Sequence, residues 1–237
     1  MAALSPFLVG GPSYSGTTLL ALLCNQPGMV CLDEPDFEDP AQAHRGVPVL
    51  RRLCPDAEIP DLPGGALTRE AAFDFHRRCA VAVHPTALGI KTCDRRFVEF
   101  AQLYRAEGLP VVAIVRDIRD ALVRPLPAFQ NEAALNALYR LVWQHIGIAS
   151  AWIRYESLVR EPRSTLARVA AALGYDDTMQ ITWDADGIPG AMIKHQDRHG
   201  LLRIGGIATS RVGVGRTSGR EFSPETLETA HLMGYPE

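Results

Sequence analysis

The residues best suited to chemistry stand near the start of the chain. Gly11-Pro12-Ser13-Tyr14-Ser15-Gly16-Thr17-Thr18 lies between two apolar runs, Phe7-Leu8-Val9-Gly10-Gly11 and Leu19-Leu20-Ala21-Leu22-Leu23. Its spacing matches the phosphate-cradling pattern GxxxxGK[ST] in both glycines, in the final threonine and in the strand-to-helix setting. Thr17 stands where that pattern has lysine. The glycines let backbone N–H groups turn toward an anion, and a helix start adds partial positive charge. The side chain that would reach the outer phosphates of a nucleoside triphosphate is missing. The loop therefore reads as an anion cradle that is not an ATP or GTP site.

Charge elsewhere is segregated. Residues 33–39 hold five acids (Asp33, Glu34, Asp36, Glu38, Asp39) and no base, while residues 198–220 hold five arginines (Arg198, Arg203, Arg211, Arg216, Arg220) and no acid. The only lysines are Lys91 and Lys194. A solvated face tolerates such runs. A cluster of acids also raises the proton affinity of one member, which suits a general base near neutral pH. Asp33, Glu34 and Asp36 are the candidates within it. The five cysteines are widely spaced with no CxxC, as expected of incidental thiols in a reducing compartment. No His/Cys/Asp cluster has ligand spacing, so no metal is expected.

The elements that must position these residues are legible in outline. Residues 7–11, 88–92, 110–115 and 151–155 read as strands, and 110–115 is apolar without alternation, so buried on both faces. Helical patterns fall at 19–23, 41–53, 69–83, 95–106, 117–122, 132–146 and 162–173, with Ser223-Pro224-Glu225 opening a last one. Residues 55–65 read as a Pro/Gly-rich loop, and 178–219 are rich in glycine with little periodicity. Strands alternating with helices imply an α/β fold: a three-layer parallel sheet with flanking helices, of the phosphate-loop nucleotide-binding type. The length of 237 residues fits one domain over 1–237. A net charge of −3 argues against bulk binding of nucleic acid or a membrane surface. No apolar run approaches the ~20 residues of a membrane span. The first residues lack the marks of a signal peptide, so a cytoplasmic location is expected.

Beyond the loop, four further landmarks occur in order. They are Leu88-Gly89-Ile90-Lys91-Thr92, Val115-Arg116-Asp117-Ile118-Arg119-Asp120, Arg154-Tyr155-Glu156-Ser157-Leu158, and Ser210-Arg211-Val212-Gly213 continuing to Arg216. With SGTT at 15–18, this set resembles the sulfotransferases that use 3′-phosphoadenosine 5′-phosphosulfate (PAPS), closest in pattern to bacterial and tyrosylprotein-type members. The resemblance spans roughly residues 7–233. It implies transfer of the sulfuryl group to a hydroxyl or amine, with PAP as the nucleotide product. It implies that Tyr14, Ser15, Gly16, Thr17 and Thr18 hold the 5′-phosphosulfate. Arg116, Arg124, Arg211, Val212 and Gly213 would serve the 3′-phosphate, and Tyr155 the adenine end.

Two departures bear on mechanism. The family usually has Lys or Arg just before SGTT, where this chain has Tyr14, and a serine eight residues beyond the strand-terminal arginine, where it has Arg124. Tyr14 donates one hydrogen bond but brings no charge, whereas Arg124 binds phosphate more strongly than serine. By the same resemblance Glu34 is the catalytic base, with Asp33 and Asp36 behind it and His84 the candidate for the histidine base that the family's small-molecule branch uses instead; Lys91 supplies the missing cation, and Ser210 accompanies Lys91. His195 and His199 are candidate acceptor contacts.

Two other readings compete. A phosphotransferase using a nucleoside triphosphate lacks its loop lysine, and a non-catalytic nucleotide-binding relative would explain Tyr14 and Arg124. The expected partner is a small-molecule acceptor, chosen by residues 36–63, 125–132 and 178–209, which carry no recognisable code; homodimerisation is left open. Scarce lysine beside abundant Ala and Arg suggests a bacterial source with GC-rich DNA.

Overall fold

The computed structural model describes residues 6–26, 28–39, 46–124, 126, 130–174, 202–203, 206–207 and 212–236. The apolar run at the start forms β1 (Phe7–Gly11), buried along its whole length. It leads through the glycine loop into α1 (Thr17–Leu23). Then come β2 (Met29–Asp33), α2 (Gly46–Leu53), α3 (Arg69–Ala82), β3 (Ala87–Cys93), α4 (Asp94–Ala106), β4 (Val111–Val115), α5 (Ile118–Leu122), α6 (Glu132–Gln144) and β5 (Ala151–Arg154). The chain continues through α7 (Tyr155–Arg160), α8 (Pro162–Ala172), β6 (Leu202–Arg203), β7 (Gly206–Ile207), α9 (Val214–Thr217) and α10 (Pro224–Leu232).

Five strands form one sheet in the order β2-β3-β1-β4-β5, and every pairing is parallel. Side chains alternate across it, so each face has its own core. Leu8, Leu88, Ile90, Val111 and Ala113 pack with Phe75 of α3 and with Phe97 and Phe100 of α4. Val9, Cys31, Val112, Ile114 and Ile153 pack with Leu19 and Leu20 of α1, Leu158 of α7 and Leu166 of α8. These are the three layers the alternation of strands and helices predicts. A third cluster joins Ile118 and Leu122 of α5 to Leu135 and Tyr139 of α6 and to Ala230 of α10. Ser223 caps α10 by accepting from the Thr226 N–H, with Pro224 in the first turn, as its sequence foretells.

The structure corrects several expected boundaries. Sequence reading assigns no strand to residues 29–33, yet Met29–Asp33 is β2, because only pairing with Ala87–Lys91 distinguishes a five-residue apolar run from buried loop. Tyr155 starts α7 instead of ending the fourth strand expected, since the ladder with β4 stops at Val115↔Arg154. α6 ends at Gln144 and a 3-10 turn follows at Ile146–Ile148. The glycine-rich segment contains the antiparallel pair β6–β7 and the short α9. The helix expected over 41–53 is described from Gly46 onward. Among the described residues no helix is long and apolar enough to cross a membrane.

The sheet brings the carboxyl ends of β1, β2, β3 and β4 to one edge. Register sets Gly11 beside Cys93 and Asp33 beside Lys91. Crevices at such an edge are where open α/β sheets take ligands.

Candidate functional site

The glycine loop is shaped by its two glycines. Gly16 caps α1 at φ 97°, and a Cβ there would lie 2.4 Å from the Tyr155 ring, so both conformation and space demand glycine. A Cβ on Gly11 would meet the Ile114 carbonyl oxygen at 2.1 Å. The end of β3 fastens the loop twice. The Ser13 N–H and hydroxyl both donate to the Asp94 carboxylate, at 2.7 and 2.5 Å, and Thr17 Oγ1 lies 3.3 Å from Cys93 Sγ. Asp94 itself sits at φ 57°.

Within this frame the Ser15 hydroxyl is fully buried and has no hydrogen-bond partner among the described residues. The N–H groups of Gly16, Thr17 and Thr18 likewise have no acceptor among those residues. A buried hydroxyl left unpaired costs about 1–3 kcal/mol. The loop thus fits an anion that would accept from these donors.

Beside it lies an ion-pair cluster. Lys91 is 3% exposed, and its Nζ is 2.8 Å from both Asp33 Oδ1 and Glu34 Oε1. Burial works against the ammonium, but the neighbouring anions outweigh it and raise the proton affinity of Lys91. Burial also pushes the Cys93 thiol up to about 12, so near neutral pH that thiol is uncharged and the two carboxylates supply the field. The Glu34 N–H donates to the Lys91 carbonyl at 3.1 Å, and Glu34 then leaves the strand at φ 46°. Its carboxylate remains 43% exposed. A base that must meet an acceptor needs that exposure.

The acidic run is neither a solvated face nor one proton-sharing cluster. Asp36 and Glu38 pair with Arg96, and Glu38 also with Arg69 at 3.3 Å, while Asp33 and Glu34 belong to Lys91. Burial raises the Asp36 carboxyl against the opposing charge of Arg96. His84 precedes β3, at the opposite edge of the sheet, and the seven residues of that strand put it roughly 20 Å from the site. The histidine alternative fails on that distance.

The remaining predicted residues gather on the β4 side. Arg116 follows β4, is 2% exposed, and lies 4.3 Å over the ring of Tyr155, which in turn packs on Gly16. Its guanidinium is 3.6 Å from Asp120. The Asp120 carboxylate accepts from the Gly213 N–H at 2.8 Å and the Gly215 N–H at 2.7 Å, fixing the late glycine loop against α5. Val212 packs on the α1 face of the core, and Arg216 lies 3.4 Å from Asp117. Arg124 sits 5.3 Å over the Tyr14 ring, and the Tyr14 hydroxyl donates to Gln130 Oε1 at 2.5 Å. Ser210, Arg211, His195 and His199 lie outside the described residues.

Three participants escape the sequence reading: Asp94, Asp120 and Gln130. Asp120 is within a quoted landmark but has no role there; Asp94 and Gln130 carry no local signal, because their partners are 81 and 116 residues away. Among the described residues no group of His, Cys, Asp or Glu is arranged to hold a metal ion.

No protein-family model matches the sequence, and no curated protein matches it. Solved structures do. The sulfotransferase domain from the curacin biosynthetic pathway is similar with a TM-score of 0.64 and 16% identity, covering 97% of this chain and 97% of that one. The sulfotransferase domain from the Synechococcus PCC 7002 olefin synthase is similar with a TM-score of 0.60 and 18% identity, covering 98% of this chain and 95% of that one. At these identities the likeness establishes the fold, which is that of the sulfotransferase domains.

Proposed function

We propose that the chain, over residues 1–237, is a PAPS-dependent sulfotransferase acting on the hydroxyl or amine of a small molecule. The observation that carries this is the lysine-free loop with the unpartnered, buried Ser15 hydroxyl, standing next to the buried Lys91 and its half-exposed partner Glu34. An anion cradle without the loop lysine suits a phosphosulfate better than a triphosphate, and the fold supports the same reading. Tyr14, Ser15, Gly16, Thr17 and Thr18 would hold the 5′ group. Arg116 and Arg124 would hold the nucleotide's charge together with Arg211, Val212 and Gly213, with Tyr155 at the adenine end. Bound there, PAPS supplies the sulfuryl group, and PAP is left as product.

Sulfuryl transfer resembles phosphoryl transfer in depending on position and charge, with no covalent intermediate required. Glu34 takes the acceptor proton on its exposed carboxylate. Once protonated it no longer neutralises Lys91, which then keeps only Asp33 as anionic partner. The ammonium is therefore most available to the loop when the acceptor has given up its proton. Ser210 would assist Lys91. All five cysteines are free thiols, which fits the reducing cytoplasm of a bacterium.

The test is calorimetric binding of adenosine 3′,5′-bisphosphate against ATP, followed by an acceptor screen with labelled PAPS. Preference for the bisphosphate and label transfer are expected. Magnesium-dependent ATP turnover would replace the proposal with a phosphotransferase, and tight bisphosphate binding without transfer to any acceptor would replace it with a binding protein.

A further inference from the structure

The loop after β2 turns a corner that its own residues do not favour. Glu34 and Asp36 both stand at φ 46°, in the left-handed region, and Glu34 also precedes a proline. Side chains disfavour that region, and a following proline pushes a residue toward extended backbone. Such a corner persists only where its surroundings impose it. Here the Glu34 N–H donates to the Lys91 carbonyl at 3.1 Å, and Phe37 is buried with its ring 5.0 Å from that of Phe75. Arg96 then grips the chain beyond Glu34 twice. Its Nη1 donates to the Asp36 carboxylate, while Nε, at 2.9 Å, and Nη2 donate to the two oxygens of Glu38.

Arg96 belongs to the first turn of α4, and that turn also reaches the other half of the site. Asp94 accepts from the Ser13 N–H and hydroxyl, and Phe97 fills the space over Gly10, where a Cβ would run into its ring. Residues 94–97 therefore touch the glycine loop, β1 and the loop that carries Glu34. A helical turn has fixed geometry, so it sets these two loops at a fixed separation. A planar guanidinium that meets two carboxylates fixes direction as well as distance, which an ammonium does not.

We infer that Arg96 is a positioning residue for the reaction, holding the Glu34 carboxylate beside Lys91 and at a set distance from the glycine loop. It acts through Glu34. The inference rests on the sulfotransferase reading, in which Glu34 is the base, and adds the residue that keeps the base in place.

Turnover of labelled PAPS tests it, read as transfer to the acceptor that the screen returns and as release of labelled sulfate to water. Arg96→Lys keeps the charge but not the fork. It is expected to lower kcat about tenfold, with KM for PAPS and affinity for adenosine 3′,5′-bisphosphate within about twofold of wild type. Arg96→Gln should lose more. Arg69→Gln removes a cation from the same network but leaves Arg96 on Asp36, and should keep kcat within about threefold. A double-mutant cycle decides between positioning and general support of the fold. In a Glu34→Gln background either Arg96 substitution should cost less than about twofold, because the group it positions is gone. Losses that multiply in that background would overturn the inference. So would unchanged kcat in both Arg96 variants, or equal loss in Arg69→Gln and Arg96→Gln, with circular dichroism matching wild type. Wild-type protein that neither transfers nor releases the label from PAPS would instead overturn the sulfotransferase reading, and the inference with it.

Discussion

At the scale of single residues, the site turns on one buried ammonium. Lys91 is one of two lysines in the chain, and taking such a charge out of water is tolerated only where carboxylates meet it. Asp33 and Glu34 do so at 2.8 Å each. Their roles should separate in experiment. Glu34→Gln keeps the shape of the side chain but removes the carboxylate proposed as the base. Lys91→Ala removes the charge and leaves Asp33 buried without its cation. Both variants are expected to bind adenosine 3′,5′-bisphosphate within a few-fold of wild type and to lose turnover about a hundredfold or more, the usual cost of removing one preorganised group of a reaction centre. Lys91→Ala should also be thermally less stable, which Glu34→Gln should not be. Unchanged turnover in both would remove the mechanism. Gly16 makes a sharper case, since a methyl group there meets Tyr155 and a φ of +97°. Gly16→Ala should lose nucleotide binding altogether, measured by calorimetry.

At the scale of elements, the end of β3 does more than carry Lys91. Two residues further on, Cys93 touches Thr17, and Asp94 grips Ser13 through both its N–H and its hydroxyl. The glycine loop is therefore held by a neighbouring strand, and the strand that carries Lys91 also sets the shape of the loop. Burial raises the Asp94 carboxyl, against the hydrogen bonds from Ser13 that favour its charged form. Asp94→Asn, which replaces one accepting oxygen with a donor facing Ser13, is expected to weaken bisphosphate binding about tenfold, with a smaller change in melting temperature. Equal affinity in wild type and variant would show that the loop holds its shape unaided. On the other side of the sheet Asp120 plays the corresponding part for the late loop. Sequence periodicity finds these helices and strands, but not the cross-links between them.

At the scale of the whole molecule, α10 closes the fold against α5 and α6, and Glu132 is its main polar tie. Its carboxylate accepts from the Ser223 N–H at 2.9 Å and the Thr226 hydroxyl at 2.7 Å, with Arg220 at 3.2 Å. Burial works against the charge, but these hydrogen bonds outweigh it and bring the pKa from 4.5 to about 2. A carboxylate with a depressed folded-state value contributes stability that is present above its unfolded value and disappears as pH falls toward the folded one. Wild-type melting temperature should therefore fall between about pH 4.5 and 2 more steeply than that of Glu132→Gln, which should melt lower at pH 7. Parallel profiles would show that Glu132 contributes no pH dependence. The sequence by itself determined the α/β class, the glycine loop, and the strand-end positions of Lys91 and Arg116. These rest on local periodicity, turn chemistry and spacing, which short stretches of chain contain. Only the tertiary structure decided that Met29–Asp33 is a strand, that the acidic run divides between Lys91 and Arg96, that His84 lies at the wrong edge, and that Tyr14 meets Arg124. Each depends on strand order and register, which bring together residues far apart in the chain, and no local pattern encodes that pairing.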